Sequence, residues 1–355
     1  MLTPPRACTL LGGTVLAAVL AAGLLPATAG AAKRAHPVSR CEDLRGMTVA
    51  ATAIGLPTSG ARVTLPEHAA QTPPYVDPYG SHMDGSHLLP TAAHCRVQGE
   101  ITPVDSAAPP IRFNVNLPLQ WNGRAIQSGG GGLGGAITTA PKNKSSGRFD
   151  PMPLNVPYPL NKGYVTFGSD NGHKAGDLEF IKNDEALRNW GGNEIKKTHD
   201  VAQRIVATAY GRPARHTFFI GESAGGREAM VAAQRFGGDY AGVIATSPIL
   251  SWSAQNLAAN NTRNHMVRGH LDAAAVKLLA DHTRATCDAQ DGLRDGIVAT
   301  YLECRNDAIA LRRPDGEPAA GCLSDDQVRT VNAIREPQPF RSPSPTAWTA
   351  SRAWA

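Results

Sequence analysis

Apolar and polar positions change their period several times along the chain, and each change marks an element. Cys95-Arg-Val-Gln-Gly-Glu-Ile101 and Ile111-Arg-Phe-Asn-Val-Asn-Leu117 alternate residue by residue, the pattern of half-buried strands. Arg124–Gln127 and Gly163–Phe167 are shorter strand candidates, and 47–53 is another. A helical period runs from about Asn193 to Tyr210, with Ile195, His199, Ala202, Ile205, Val206 and Ala209 along one face, and Gly211 and Pro213 stop it. His216–Ile220 and Tyr240–Ala245 favour β structure, whereas Glu228–Phe236 between them is made of helix formers that place Ala229, Met230, Ala233 and Phe236 near helical spacing. Strands alternating with helices predict an α/β architecture with a mostly parallel sheet covered on both faces. Residues 33–90 differ: they are rich in proline, histidine and short polar turns.

One stretch organises the rest. The strand candidate ending at Ile220 runs into Gly221-Glu-Ser-Ala-Gly225, and a helix-forming sequence follows at once. Strand, Gly-x-Ser-x-Gly turn and helix are the context of a nucleophile elbow, so Ser223 is the candidate nucleophile. An acyl-transfer serine also needs N–H donors for the oxyanion. In an elbow one comes from the following residue, Ala224, and another from the loop after an earlier strand. The tract Gly129–Gly132 occupies that second place, with Gly130 or Gly131 as the donor. In isolation such a tract reads as a flexible linker. Asp170 and His173 are either catalytic or part of a turn with local hydrogen bonds.

Composition narrows the partners. A net charge of +5 over 355 residues, with no basic block interleaved with aromatics, argues against nucleic acid. Arg6, an apolar stretch at 9–25 and Ala27-Thr28-Ala29 form a secretory signal, assigned to 1–32, which predicts a secreted chain with no stable membrane insertion after cleavage. Cys8 lies in that leader, leaving Cys41, Cys95, Cys287, Cys304 and Cys322, an odd number.

A trypsin-like arrangement competes for the same serine. Thr91-Ala-Ala-His-Cys95 matches the histidine motif of those proteases, which would pair His94 with Ser223. The helix after the serine, and the lack of a convincing aspartate between the two, oppose it.

The elbow and its surroundings resemble the tannase and feruloyl esterase family of α/β-hydrolases. The stretches that carry the resemblance are Trp121–Arg124, Gln127–Gly132, Gly163-Tyr-Val-Thr with Asp170 and Gly172-His173, Tyr210–Pro213, Gly221–Arg227, Ala233–Phe236, Cys287–Ile297 and Cys322-Leu-Ser, collinear over roughly 41–335. The resemblance implies a carboxylic ester hydrolase in which Ser223 forms an acyl-enzyme on esters of aromatic or phenolic acids. It implies a lid inserted after the elbow half, and a structural Ca2+ held by Asp288, Asp291, Asp295 and the carbonyls of Leu293 and Ile297, a hard-oxygen donor set. It also implies disulfides joining Cys41 to Cys95 and Cys287 to Cys304.

Three departures matter. The family usually has cysteine before the nucleophile, disulfide-linked near the catalytic histidine; here Glu222 stands there, compatible with the turn and expected to be structural. Cys322 lacks its usual upstream partner. The family's catalytic aspartate and histidine lie beyond the lid, in a segment with no counterpart in this sequence, so no catalytic Asp or His is assigned. The expected organisation is an amino-terminal portion of the hydrolase domain over 33–250, incomplete at its carboxyl end, a partial lid with the calcium loop over 251–340, and an unstructured aberrant tail over 341–355. Such a chain is an impaired esterase or, alternatively, a non-catalytic truncated fragment.

Overall fold

A single eight-stranded sheet carries the molecule, in the order β1-β2-β5-β6-β8-β7-β9-β10. The structure, a computed structural model, describes residues 41–71, 75–76, 87–88, 91–139, 158–313 and 321–336. The leader at 1–32 and the tail at 341–355 lie outside the described residues. The strands are β1 (Thr48–Val49), β2 (Ala61–Ala69), β5 (His94–Ile101), β6 (Ile111–Pro118), β7 (Arg124–Ser128), β8 (Val165–Ser169), β9 (His216–Glu222) and β10 (Gly242–Thr246). A separate two-residue ribbon pairs β3 (Tyr75–Val76) with β4 (His87–Leu88).

The sheet is mixed. β8, β7, β9 and β10 are parallel, whereas β1, β2, β5, β6 and β8 meet antiparallel. The α/β expectation holds, but the parallel part is only half the sheet. The connection 102–110 between β5 and β6 is shorter than the dozen or so residues a parallel crossover requires.

Helix α1 (Asp184–Arg188) leads through a kink at Gly192 into α2 (Glu194–Tyr210). Its Val201, Ala202, Ile205, Val206 and Tyr210 pack with Val97, Phe113, Val115 and Phe167 of the sheet. Tyr210 also stacks on Trp121, ring centroids 4.4 Å apart, and donates its hydroxyl to the Pro118 carbonyl at 2.7 Å. Helix α3 (Ala224–Arg235) lies beside α2: Ala229 and Ala232 share a second cluster with Ile195, Phe219 and Tyr240. The Cys41–Cys95 disulfide ties the start of the described chain to β5.

After β10 the chain builds a small core of its own. Helices α4 (Trp252–Met266), α5 (Ala273–Cys287) and α6 (Asp325–Arg335) belong to this segment, in which Ala275, Ala308, Leu323, Val328 and Val331 are gathered. A Ser324–Gln327 capping box starts α6, and the Cys287–Cys304 disulfide closes the loop after α5. Among the described residues, cover on both faces is therefore missing over β9 and β10. Phe218 and Ile220 are half-buried, and Ile244 is 59% exposed. Cys322 has no disulfide partner among the described residues. No helix among them is long and apolar enough to cross a membrane.

Candidate active site

Ser223 stands alone between β9 and α3 with φ 57° and ψ −117°. L-residues rarely adopt such a backbone, and the strain of roughly 1–3 kcal/mol persists only where the surroundings enforce it. The enforcement is visible. Ser223 N–H donates to the Thr246 carbonyl at 3.0 Å, and the Ser223 carbonyl accepts from Arg227 N (3.1 Å) and Ile249 N (3.2 Å). The glycines of the motif are sterically required. A Cβ on Gly221 would lie 2.1 Å from the Gly225 carbonyl oxygen, and one on Gly226 would lie 2.5 Å from that of Thr246. Ser223 itself is half-buried, so the hydroxyl is not sealed in the core.

The glycine tract meets this turn directly. Gly129 N–H donates to the Ile220 carbonyl at 2.9 Å, continuing the pairing of β7 with β9. A Cβ on Gly225 would fall 2.5 Å from the Gly130 carbonyl oxygen. Further along, Trp190 Nε1 donates to the Leu133 carbonyl at 2.8 Å, and Gly135 N–H to that of Asp170 at 3.1 Å. The tract is an anchored loop against the elbow rather than a free linker.

Beneath it lies a polar group the sequence did not announce. Gly130 N–H donates to Glu228 Oε2 at 2.9 Å, which commits that amide to a carboxylate and leaves Gly131 as the tract's candidate oxyanion donor. Asn171 Nδ2 donates to Glu228 Oε1 at 2.8 Å and to Glu194 Oε1 at 3.3 Å, and Ser169 Oγ donates to Glu194 Oε2 at 2.6 Å. Burial, reinforced by the neighbouring Glu228, holds the Glu194 carboxyl well above the usual carboxylate range. Burial also raises Glu228, against the opposing pull of Gly130 N–H and Arg227. Both Glu228 oxygens face N–H donors, which supports its carboxylate, and of the two carboxyls Glu194 is pushed up the further. A signal existed: Glu228 falls at helical spacing from Gly225 and Ala232, a charge on the buried stripe of α3.

Other candidates take structural places. Asp170 closes a turn, accepting from Gly172 N–H at 2.9 Å and Arg112 N–H at 3.0 Å, and it is ion-paired with the Arg112 guanidinium. His173 stacks on Phe180, centroids 4.0 Å apart. His199 packs edge-on to Tyr240 and pairs with Asp200 at 3.0 Å. His94 is the first residue of β5, buried, with Nδ1 against the Ala92 carbonyl. β5 runs in the direction of β9, so His94 sits at the sheet edge opposite Ser223, with three strands between. That separation is roughly 19 Å. A trypsin-like pairing of His94 with Ser223 is excluded.

In the 287–297 loop each aspartate ties down backbone: Asp288 accepts from Gly296 N–H (2.9 Å), Asp291 from Leu293 (3.0 Å) and Ala299 (3.1 Å), and Asp295 from Ile297 (3.0 Å). Among the described residues, three ligand-type groups come within 4.8 Å of one another at His199, Asp200 and Asp239. There Lys196 Nζ already lies 2.9 Å from each carboxylate, an ammonium where a metal ion would sit.

Comparison with known proteins agrees with this geometry. The family model described as tannase and feruloyl esterase matches residues 95–346. An uncharacterised esterase of Agrobacterium fabrum is 33% identical over 83% of this chain and 53% of its own length. The mono(2-hydroxyethyl) terephthalate hydrolase of Piscinibacter sakaiensis is 30% identical over 67% of this chain and 44% of its own. The chain thus spans about half the length of the curated relatives it matches. Among solved structures, feruloyl esterase B from Aspergillus oryzae superposes with a TM-score of 0.59 at 23% identity, covering 79% of this chain and 54% of that one, a likeness of fold. A strained serine between strand and helix, a glycine tract against it, and a family match over most of the sequence identify this chain as a member of the tannase and feruloyl esterase family, with an α/β-hydrolase fold.

Proposed function

We propose that Ser223 is the nucleophile of a carboxylic ester hydrolase acting on esters of aromatic or phenolic acids. Its Oγ bonds to the ester carbonyl carbon, the alcohol departs with a proton, and water cleaves the acyl-enzyme to release the acid. Negative charge on the carbonyl oxygen is received by the N–H groups of Ala224, at the open start of α3, and Gly131. The observation that carries this is the backbone at 223, φ 57° and ψ −117°, at a strand-to-helix turn. The substrate class rests on what the relatives are named for, terephthalate and feruloyl esters.

Among the described residues no imidazole is hydrogen-bonded to the Ser223 hydroxyl. The histidines whose side chains are described lie at the far sheet edge, in α2, at the start of β9, against Phe180 or in the segment after β10. A serine without its base is slower by about 10⁴ or more, so the described residues taken by themselves would make an impaired esterase. Hydrolysis of 4-nitrophenyl benzoate by the chain and by Ser223→Ala tests both statements. Slow turnover lost in the variant supports the nucleophile; turnover equal in the two removes Ser223 from the chemistry.

Two further features belong to the same proposal. The leader at 1–32, with two disulfides in the folded part, supports secretion. The loop 287–297 offers carboxylates of Asp288, Asp291 and Asp295 and the carbonyls of Leu293 and Ile297, an all-oxygen set suited to Ca2+ in a structural role.

A further inference from the structure

Glu228 is five residues past the nucleophile, on the buried side of α3, and touches nothing that reacts. Its two oxygens are divided between the glycine tract and the turn after β8. Oε2 takes Gly130 N–H at 2.9 Å, and Oε1 takes Asn171 Nδ2 at 2.8 Å. Asn171 is itself held in the turn, with φ 62° and the Gly172 N–H donating to Asp170 Oδ1 across it at 2.9 Å. It crowds two glycines of this loop: a Cβ on Gly130 would lie 2.9 Å from Asn171 Oδ1, and one on Gly134 would lie 2.3 Å from it. Glu194, held by Ser169, closes the far side of the carboxamide. Arg227, whose guanidinium lies over the Trp190 ring, donates to the Trp190 carbonyl at 3.0 Å and stays 3.8 Å from Glu228 Oε1. The charge of Glu228 is therefore directed mainly at two N–H groups, one of them in the tract.

We propose that Glu228 is a positioning residue for acyl transfer: by holding Gly130 N–H while Asn171 braces its other oxygen, it fixes the 129–130 peptide plane, the one next to the 130–131 plane from which Gly131 presents its N–H to the oxyanion. The proposal rests on Ser223 being the nucleophile. It explains why an acceptor-only group stands there. A carboxamide at 228 has one acceptor oxygen, so whichever way it turns its NH2 confronts Gly130 N–H or the Asn171 amide.

The test is Glu228→Gln in the full chain, read by the ¹⁵N–¹H resonances of Gly130 and Gly131 and by kcat and KM on 4-nitrophenyl benzoate. Both amide resonances move, and kcat falls about 10²- to 10³-fold, as for loss of one oxyanion donor, with KM held within about twofold. Asn171→Gly, which suits the positive φ, is the second variant and shows the same split. Unmoved amides, or displaced amides with wild-type kcat, overturn the proposal. Absence of Ser223-dependent turnover in the wild type defeats the nucleophile reading and the acyl-transfer role with it, whereas Ser223-dependent turnover with unmoved amides in Glu228→Gln overturns the positioning role alone.

Discussion

Gly129 and Gly225 meet backbone to backbone: a Cβ on Gly129 would lie 2.7 Å from the Gly225 Cα. The nucleophile turn and the oxyanion loop are thus one packed unit, and neither can gain a methyl group without shifting the other. Gly225→Ala, whose Cβ would meet the Gly130 carbonyl oxygen at 2.5 Å, destabilises the fold by about 1–3 kcal/mol. Gly237→Ala, with nothing within 4 Å, changes stability by less than about 0.5 kcal/mol. Urea unfolding of the two variants side by side shows the contrast, and equal midpoints would refute it.

The raised Glu194 carboxyl makes stability depend on pH. A carboxyl whose folded value is raised contributes stability that is full below the ordinary carboxylate range and is lost as pH rises through the folded value. Wild type therefore loses more stability than Glu194→Gln as pH rises above the ordinary carboxylate range, because the variant cannot ionise. Urea midpoints across that rise should converge toward acid and separate toward base. Parallel curves would show that Glu194 is not the group that titrates.

The two disulfides close loops of different size. Cys41–Cys95 spans 54 residues and Cys287–Cys304 spans 17. Chain entropy alone makes the longer one worth about 1 kcal/mol more. Replacing Cys41 and Cys95 by serine should lower the unfolding midpoint further than replacing Cys287 and Cys304. The reverse order would place the difference in native packing.

Calcium binding by the 287–297 loop would raise Tm in proportion to the logarithm of free Ca2+ above its Kd. Asp288→Asn with Asp295→Asn removes that increment, and Mg2+, which demands tighter geometry, does not replace it. A thermal melt unchanged by Ca2+ and by a chelator would discard the ion.

What could be read from the residues was local. The elbow, the alternating strands β5 and β6 and the limits of α2 follow from short-range pattern, and the structure has them where the pattern does. Strand β2 escaped because its alternation breaks: a bulge between Val63 and Leu65 shifts the phase, and Pro66 interrupts the run. The face of α3 was misread as well. Met230 and Ala233 lie exposed, while Ala224, Gly225, Glu228, Ala229 and Ala232 turn inward. Apolarity marked only part of the stripe: Ala229 and Phe236 pack inward as the pattern has them, but glycines and a glutamate line the contact with the oxyanion loop. The Glu228–Asn171–Glu194 group joins residues 23 to 57 positions apart, and no local pattern records that.

Consider, finally, the left-handed backbone at 223. Glycine would adopt φ 57° without strain, so Ser223→Gly should fold more stably than Ser223→Ala, which keeps the contorted geometry and loses only the hydroxyl. A scaffold preserved only for its shape could drop this burden through one substitution. That the burden is carried sets a tension in the resting protein, like a latch kept cocked.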